Sequence, residues 1–167
     1  MEIKSHRDIT NQSSHESENF KNIEPYTFLM KGENDMVTII KSKKLRIDED
    51  YEPPMKVGFG IDSTSVQNPG MVMGYTTGPV GLRNQRHYHP HTPSGIYVVK
   101  GRSKLIVGPD HEKQELIVEA GDFIYVPRGE IHGAVNLEDD TAVVFCYPDV
   151  SSKEEAGTIY IEPPHDK

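Results

Sequence analysis

Gly121-Asp-Phe-Ile-Tyr-Val-Pro127-Arg-Gly129-Glu-Ile-His132-Gly-Ala-Val-Asn136 is the stretch that decides the fold of this chain. Its two glycines suit tight turns, which often need a positive φ. Pro127 has no N–H for a continuing β-ladder, so it ends a short apolar strand. His132 then comes early in the next strand, and Asn136 shares its face because side chains alternate with a period of two. The stretch predicts two short strands joined by a turn, with a histidine early in the second strand.

A second histidine-rich stretch lies upstream and runs His87-Tyr-His89-Pro-His91-Thr-Pro-Ser94 before Gly101. Two histidines at i and i+2 on a strand point to the same face. Imidazole is the commonest metal-binding side chain in proteins, and a third histidine on a later strand could close a site from across a barrel. Histidines of one sandwich strand could equally face solvent. The later stretch is what favours a metal site over that alternative.

The rest of the chain is a series of short β-rich runs separated by Gly and Pro turns, and no run suits an amphipathic helix of ten or more residues. Such evenly spaced strands are typical of an antiparallel sandwich or barrel. The predicted strands are residues 26–30, 36–40, 45–47, 56–61, 71–75, 84–89, 95–100, 103–107, 114–118, 123–126, 131–135, 141–147 and 158–161.

The chain of 167 residues suits one domain with polar ends. Residues 1–25 are rich in Ser, Asn, Glu and His and have neither helical nor strand period, which predicts a mobile or partner-bound arm. Residues 26–162 are the predicted β-domain, and residues 163–167 are a tail.

Composition excludes several classes of partner. The net charge of −8, without a basic patch, argues against nucleic acid and against anionic membrane surfaces. The charged start lacks an apolar signal segment, and the apolar runs are too short to span a bilayer. A single cysteine, Cys146, permits no intrachain disulfide, so a reducing cytoplasm is the expected location.

The two histidine stretches resemble the paired motifs of the cupin superfamily. The later stretch matches the second motif at every fixed position, with the spacing Gly, five residues, Pro, one, Gly, two, His, three, Asn. The earlier stretch matches most of the first motif through His87, His89 and Gly101. The resemblance covers roughly residues 71–147. It implies an all-β fold, a single cupin jelly-roll barrel (a double-stranded β-helix) with a polar N-terminal arm, whose mouth holds one divalent metal ion on His87, His89 and His132.

The sequence departs from the family at position 94, where Ser94 stands in place of the glutamate ligand. Three neutral histidines would leave the full charge of the metal uncompensated, which favours direct binding of a small anionic substrate. The same centre could instead acidify a bound water toward a pKa of about 7. Ser94, His91 and Gln85 are further candidates for the pocket: Ser94 to hold a water, His91 as a fourth ligand, an acid or a rim residue, and Gln85 as a lining residue.

Three functions remain open from the sequence, and no catalytic residue is assigned beyond the metal ligands. The resemblance to three-histidine cupin dioxygenases favours a mononuclear non-haem enzyme with Fe(II). A lyase, isomerase or hydrolase using Zn, Mn or Ni is the alternative, and a non-catalytic module that binds a small ligand is the third. A homodimer is expected, with a sheet edge from Val37 to Ile40 as its contact.

Two smaller expectations concern apolar side chains. Ile96, Val98 and Phe123 are predicted to line a partly apolar barrel mouth. Three tyrosines are interpreted as packing residues, and one of them could turn its hydroxyl to the pocket: Tyr75, Tyr97 and Tyr125.

Overall fold

A computed structural model of the chain describes residues 37–51 and 55–161. In chain order its strands are β1 (Arg46–Asp48), β2 (Val57–Ile61), β3 (Met71–Gly78), β4 (His87–Tyr88), β5 (Ser94–Lys100), β6 (Arg102–Val107), β7 (Gln114–Glu119), β8 (Phe123–Val126), β9 (His132–Asn136), β10 (Thr141–Pro148) and β11 (Ile159–Tyr160). A 3-10 turn at Ser42–Lys44 and a four-residue helix, α1 (Lys153–Ala156), complete the elements of these residues. The predicted arm, the tail and the strand at residues 26–30 lie outside the described residues.

The strands form two antiparallel sheets, as the all-β jelly-roll prediction requires. One sheet has six strands in the order β1-β2-β3-β10-β5-β8, and the other has five in the order β11-β4-β9-β6-β7. From β3 onward each strand is followed by one in the other sheet, except that β6 and β7 form a hairpin within one sheet, and this is the double-stranded winding of a jelly roll. Within the described part of the chain, no helix is long and apolar enough to cross a membrane.

The core lies between the sheets because each strand turns alternate residues inward. In β3, for example, Val72, Gly74 and Thr76 are buried while their neighbours are more exposed. An aromatic cluster fills one end of the core, with ring centroids 5.0–6.0 Å apart between successive members. Its members are Tyr51, Phe59, Phe145 and Tyr147.

The turn glycines behave as the motif predicted. Gly121 and Gly129 have φ of 102° and 79°, so both lie in the region that favours glycine. Gly101, between β5 and β6, has a φ of 80° and also packs against β10. These three backbone positions set the ends of the strands that carry the two motifs.

Two of the predicted strands are wrong in extent. The strand predicted at residues 84–89 is reduced to His87–Tyr88. Before it, the Asn84 side chain accepts a hydrogen bond from Ala134 N at 2.8 Å in place of a backbone partner. Residues 37–40 form no strand, and Val37 is 85% exposed, so the sheet edge predicted there for a dimer contact does not exist.

One buried carboxylate, paired with the partly exposed Arg46, gives the fold a dependence on pH. The Asp62 carboxylate is buried and accepts hydrogen bonds from Arg46 Nη2 at 2.7 Å and from Thr64 N at 2.9 Å. Burial alone would raise the pKa of Asp62, but the hydrogen bonds from Thr64 and Arg46 outweigh it and lower the pKa below 3.8. A lowered pKa means that the carboxylate stabilises the fold above pH 3.8, and that this contribution is lost as the pH falls further.

Asp62→Ala is therefore expected to lower the free energy of unfolding by about 1–3 kcal/mol at pH 7. The difference from the unsubstituted protein should shrink as the pH falls below 3.8, the ordinary pKa of an aspartate. Urea titrations at a series of pH values measure both effects. Glu49→Ala, which removes the exposed pair of Glu49 with Lys56, is the control and should change little. A pH-independent loss in Asp62→Ala would contradict the assignment.

Candidate metal centre

Three imidazole rings meet at one point inside the barrel. One ring nitrogen from each of His87, His89 and His132 lies within 4.8 Å of the corresponding nitrogens of the other two. All three side chains are buried, with exposed fractions of 1%, 3% and 5%. A cluster of buried histidines is uncommon unless the rings share a binding partner, because each ring has two polar nitrogens that need partners.

The convergence follows from the pairing of two neighbouring strands. His87 of β4 lies directly opposite His132 of β9 in the antiparallel register. His89 follows two residues after His87 and shares its face. The third histidine therefore comes from the adjacent strand of the same sheet, and the expectation that it reaches the site from across the barrel is wrong.

Backbone carbonyls fix the orientation of two of the rings. His87 Nδ1 lies 2.7 Å from Gln85 O, and His132 Nδ1 lies 3.0 Å from Glu130 O. A carbonyl can only accept, so Nδ1 is the donor in both contacts, and in a neutral ring the lone pair is then on Nε2. This is the arrangement in which metal-binding histidines are usually held. The donor set thus fits a divalent ion.

The third ring is held by a chain of hydroxyls. His89 Nδ1 lies 3.4 Å from Thr158 Oγ1, which lies 3.0 Å from Tyr51 Oη, and Tyr51 Oη lies 3.1 Å from Tyr147 Oη. The Tyr147 ring also packs on His89, with centroids 4.5 Å apart. Sequence reasoning missed this network. The sequence feature that pointed to it was the alternation along β10, which places Tyr147 on the same face as Phe145.

The other candidate residues divide between the site and its surroundings. Ser94 is buried and lines the same cavity as His87 and His132. Gln85 is buried and contributes its backbone carbonyl to His87. His91 is exposed and lies against Gly157, outside the histidine cluster. Metal binding by the candidates remains a prediction.

The cavity beside the histidines has a volume of about 90 Å³ and opens to solvent. Ile96 and Val98 line it as predicted. The prediction for Phe123 is wrong, because its side chain is 85% exposed and packs outside the barrel on Tyr97, with ring centroids 4.7 Å apart. Val126 and Ile124 turn inward along β8, so Phe123 and Tyr125 turn outward.

The partly exposed tyrosines share that outer side. Tyr75, Tyr97 and Tyr125 are 36%, 38% and 71% exposed, and none of them lines the cavity. The expectation that one of these three presents its hydroxyl to the pocket is therefore wrong, and the tyrosine in the cavity lining is Tyr147.

The family model described as "Cupin domain" matches residues 74–148, which include both histidine stretches. The chain contains a cupin domain. The jelly-roll winding and the glycine turns described above are consistent with the cupin motifs. A comparison with curated proteins found no match.

Solved structures share the cupin fold at low sequence identity. The polyketide cyclase RemF from Streptomyces resistomycificus is 20% identical, with a TM-score of 0.61 over 78% of this chain and 89% of that chain. KdgF from Halomonas sp. is 20% identical, with a TM-score of 0.55 over 67% and 94%. Oxalate decarboxylase from Bacillus subtilis is 15% identical, with a TM-score of 0.62 over 77% of this chain and 34% of that chain.

Proposed function

We propose that this cupin is a mononuclear metal-dependent enzyme that acts on a small anionic substrate, with the ion held by His87, His89 and His132. The observation that carries the proposal is the convergence of three buried imidazoles, two of which have their Nδ1 atoms fixed by carbonyls. A divalent ion bound there would supply Lewis-acid chemistry or, as iron(II), chemistry with dioxygen.

The preference for an anion follows from charge. The histidine cluster contains no carboxylate among the described residues. Neutral imidazoles do not compensate the charge of a divalent ion, so an enolate, carboxylate or thiolate oxygen or sulfur is the ligand that completes the charge balance. Burial of the rings strengthens this attraction, because charges interact more strongly where water is excluded.

A dioxygenase-like reaction with Fe(II) is our first candidate, supported by the resemblance to three-histidine cupin dioxygenases. The second is a non-redox lyase, isomerase or hydrolase with Zn, Mn or Ni. It is supported by a polyketide cyclase and an oxalate decarboxylase among the proteins that share this fold. A module that binds a small ligand without turnover is the third, and the same site would serve it.

Elemental analysis of protein purified without added metal tests these candidates. Iron at one ion per chain, together with oxygen consumption in the presence of candidate substrates, is the result that the first candidate predicts. Zinc, manganese or nickel with activity indifferent to oxygen would favour the second candidate. A protein that takes up no divalent metal, even when it is incubated with each ion, would overturn the proposed centre.

A homodimer and a cytoplasmic location also remain predictions. Residues 37–40 form no strand that could pair with a second copy of the chain, so another surface would have to form the dimer contact. Size-exclusion chromatography with light scattering would contradict the dimer if it found a monomer at micromolar concentration.

A further inference from the structure

Ser94 presents a buried oxygen that has no hydrogen-bond partner among the residues that the structure describes. Its side chain is 2% exposed, and Oγ is the one polar atom that it carries. A neighbouring buried hydroxyl, Thr92 Oγ1, has two carbonyl acceptors, Pro148 O at 2.7 Å and Pro93 O at 3.0 Å. Burying a hydroxyl without a partner destabilises a fold, so such a group points to a partner that arrives with a ligand.

The position of Ser94 places this hydroxyl at the polar end of the cavity. Ser94 begins β5, and its neighbour Gly95 pairs with Cys146 of β10, which puts Ser94 beside Tyr147. Ser94, Tyr147, His87 and His132 all line the same cavity. The hydroxyl and the imidazoles therefore face one shared space.

Beyond Ser94 the cavity wall formed by β5 becomes apolar. Ile96 and Val98 follow Ser94 at alternate positions, so they extend the same inward face by about 13 Å in all. Phe145 of β10, which pairs with Ile96 of β5, also lines the cavity. This wall offers no hydrogen-bond partner to a polar ligand.

The opposite wall has the same order of polar and apolar groups. His132 is followed at the alternate position by Ala134, which pairs with Leu105. Other polar side chains of the lining are bonded within the protein: Thr76 Oγ1 donates to Lys56 O, Asn84 Oδ1 accepts from Ala134 N, and Ser103 Oγ and Asn136 Oδ1 lie 3.2 Å apart. The cavity is thus polar at the histidines and mostly apolar beyond them.

We propose that Ser94 is a specificity-determining residue that donates a hydrogen bond to an anionic oxygen of the substrate, and that the remainder of the substrate is an apolar chain or ring lying along β5. The inference rests on the proposed metal centre and adds the substrate class, an amphipathic carboxylate or enolate. A compact dianion or a sugar acid fits poorly, because its further oxygen atoms would lie against Ile96, Val98 and Leu105 without partners.

Isothermal titration calorimetry with straight-chain carboxylates, from acetate to hexanoate, tests this assignment on the full chain loaded with Co(II). The affinity should rise about three- to fourfold with each methylene that enters the apolar wall. Ser94→Ala should weaken hexanoate binding about tenfold or more, because a hydrogen bond to a charged oxygen is lost. The thermal midpoint of Ser94→Ala should stay unchanged or rise, since no bond within the protein is broken.

Ser103→Ala is the matched control, because it removes a serine hydroxyl from the far end of the same cavity. It should change hexanoate affinity less than twofold. Equal hexanoate binding by Ser94→Ala and the unsubstituted protein, or an affinity that does not rise with chain length, would overturn the proposal. The visible spectrum of Co(II) reports separately on the metal centre. If cobalt does not bind, the proposed function fails, and the same titrations on metal-free protein still decide the role of Ser94.

Discussion

His132→Ala is expected to weaken metal binding by more than about 100-fold. Removal of a residue that only supports a metal ligand already weakens binding by about 10- to 100-fold, and His132 is itself a proposed ligand. The variant removes one of three converging nitrogens and leaves those of His87, in β4, and His89, directly after β4. Two imidazoles from one segment make a far weaker chelate than three from two segments, because the third completes the site. Elemental analysis of protein purified without added metal measures the loss.

His111→Ala is the matched control for this experiment. His111 lies in the turn between β6 and β7, and its side chain is 77% exposed. Its replacement removes one histidine from the composition without touching the cluster, so metal content should stay unchanged. Circular dichroism establishes that both variants fold. Full metal content in folded His132→Ala would show that the ligand assignment is wrong.

Gly101→Ala is expected to lower the free energy of unfolding by about 2–5 kcal/mol, through two causes. The φ of 80° is unfavourable for any residue with a Cβ. The added Cβ would also stand 2.5 Å from Thr141 Oγ1 and 2.9 Å from Thr141 Cα. Since Cα belongs to the backbone of β10, no side-chain rotation relieves that contact. Urea unfolding, followed by circular dichroism, measures the effect.

Gly129→Ala separates the two causes. Gly129 has a φ of 79°, almost the same as Gly101, but a Cβ there would meet no atom within 4 Å. Its substitution should cost only the backbone strain, about 1–2 kcal/mol. If both variants lose the same stability, the close approach of Gly101 to β10 does not matter and the packing argument fails.

Much of the fold was predictable because the strands are short, regular and bounded by residues with strong backbone preferences. Gly121, Gly129 and Pro127 fixed the ends of β8 and the start of β9, since each acts through its own φ or its missing N–H. The grouping of His87, His89 and His132 was predictable for a different reason, because the resemblance to the two cupin motifs implied it and the period of a strand placed His87 and His89 on one face.

The sequence did not reveal features that depend on pairing between distant strands. Phe123 fits an apolar pocket by composition, yet its parity along a four-residue strand turns it outward. Tyr51 follows a charged loop and shows no pattern, although its hydroxyl bridges Tyr147 and Thr158. Residues 37–40 have strand-forming composition, but no strand of the described part of the chain pairs with them.

The direct pairing of His87 with His132 has a mechanical consequence. β4 is two residues long, so few ladder bonds hold it between β11 and β9. An ion bound to these rings would link two short strands through His87 and His132, which lie 45 positions apart in the chain. Loading at a metal concentration 1,000 times the Kd would add about 4 kcal/mol to the stability of the folded state. Amide hydrogens of β4 and β11 would then exchange more slowly with solvent, so their exchange rates would report how much of the protein has bound metal.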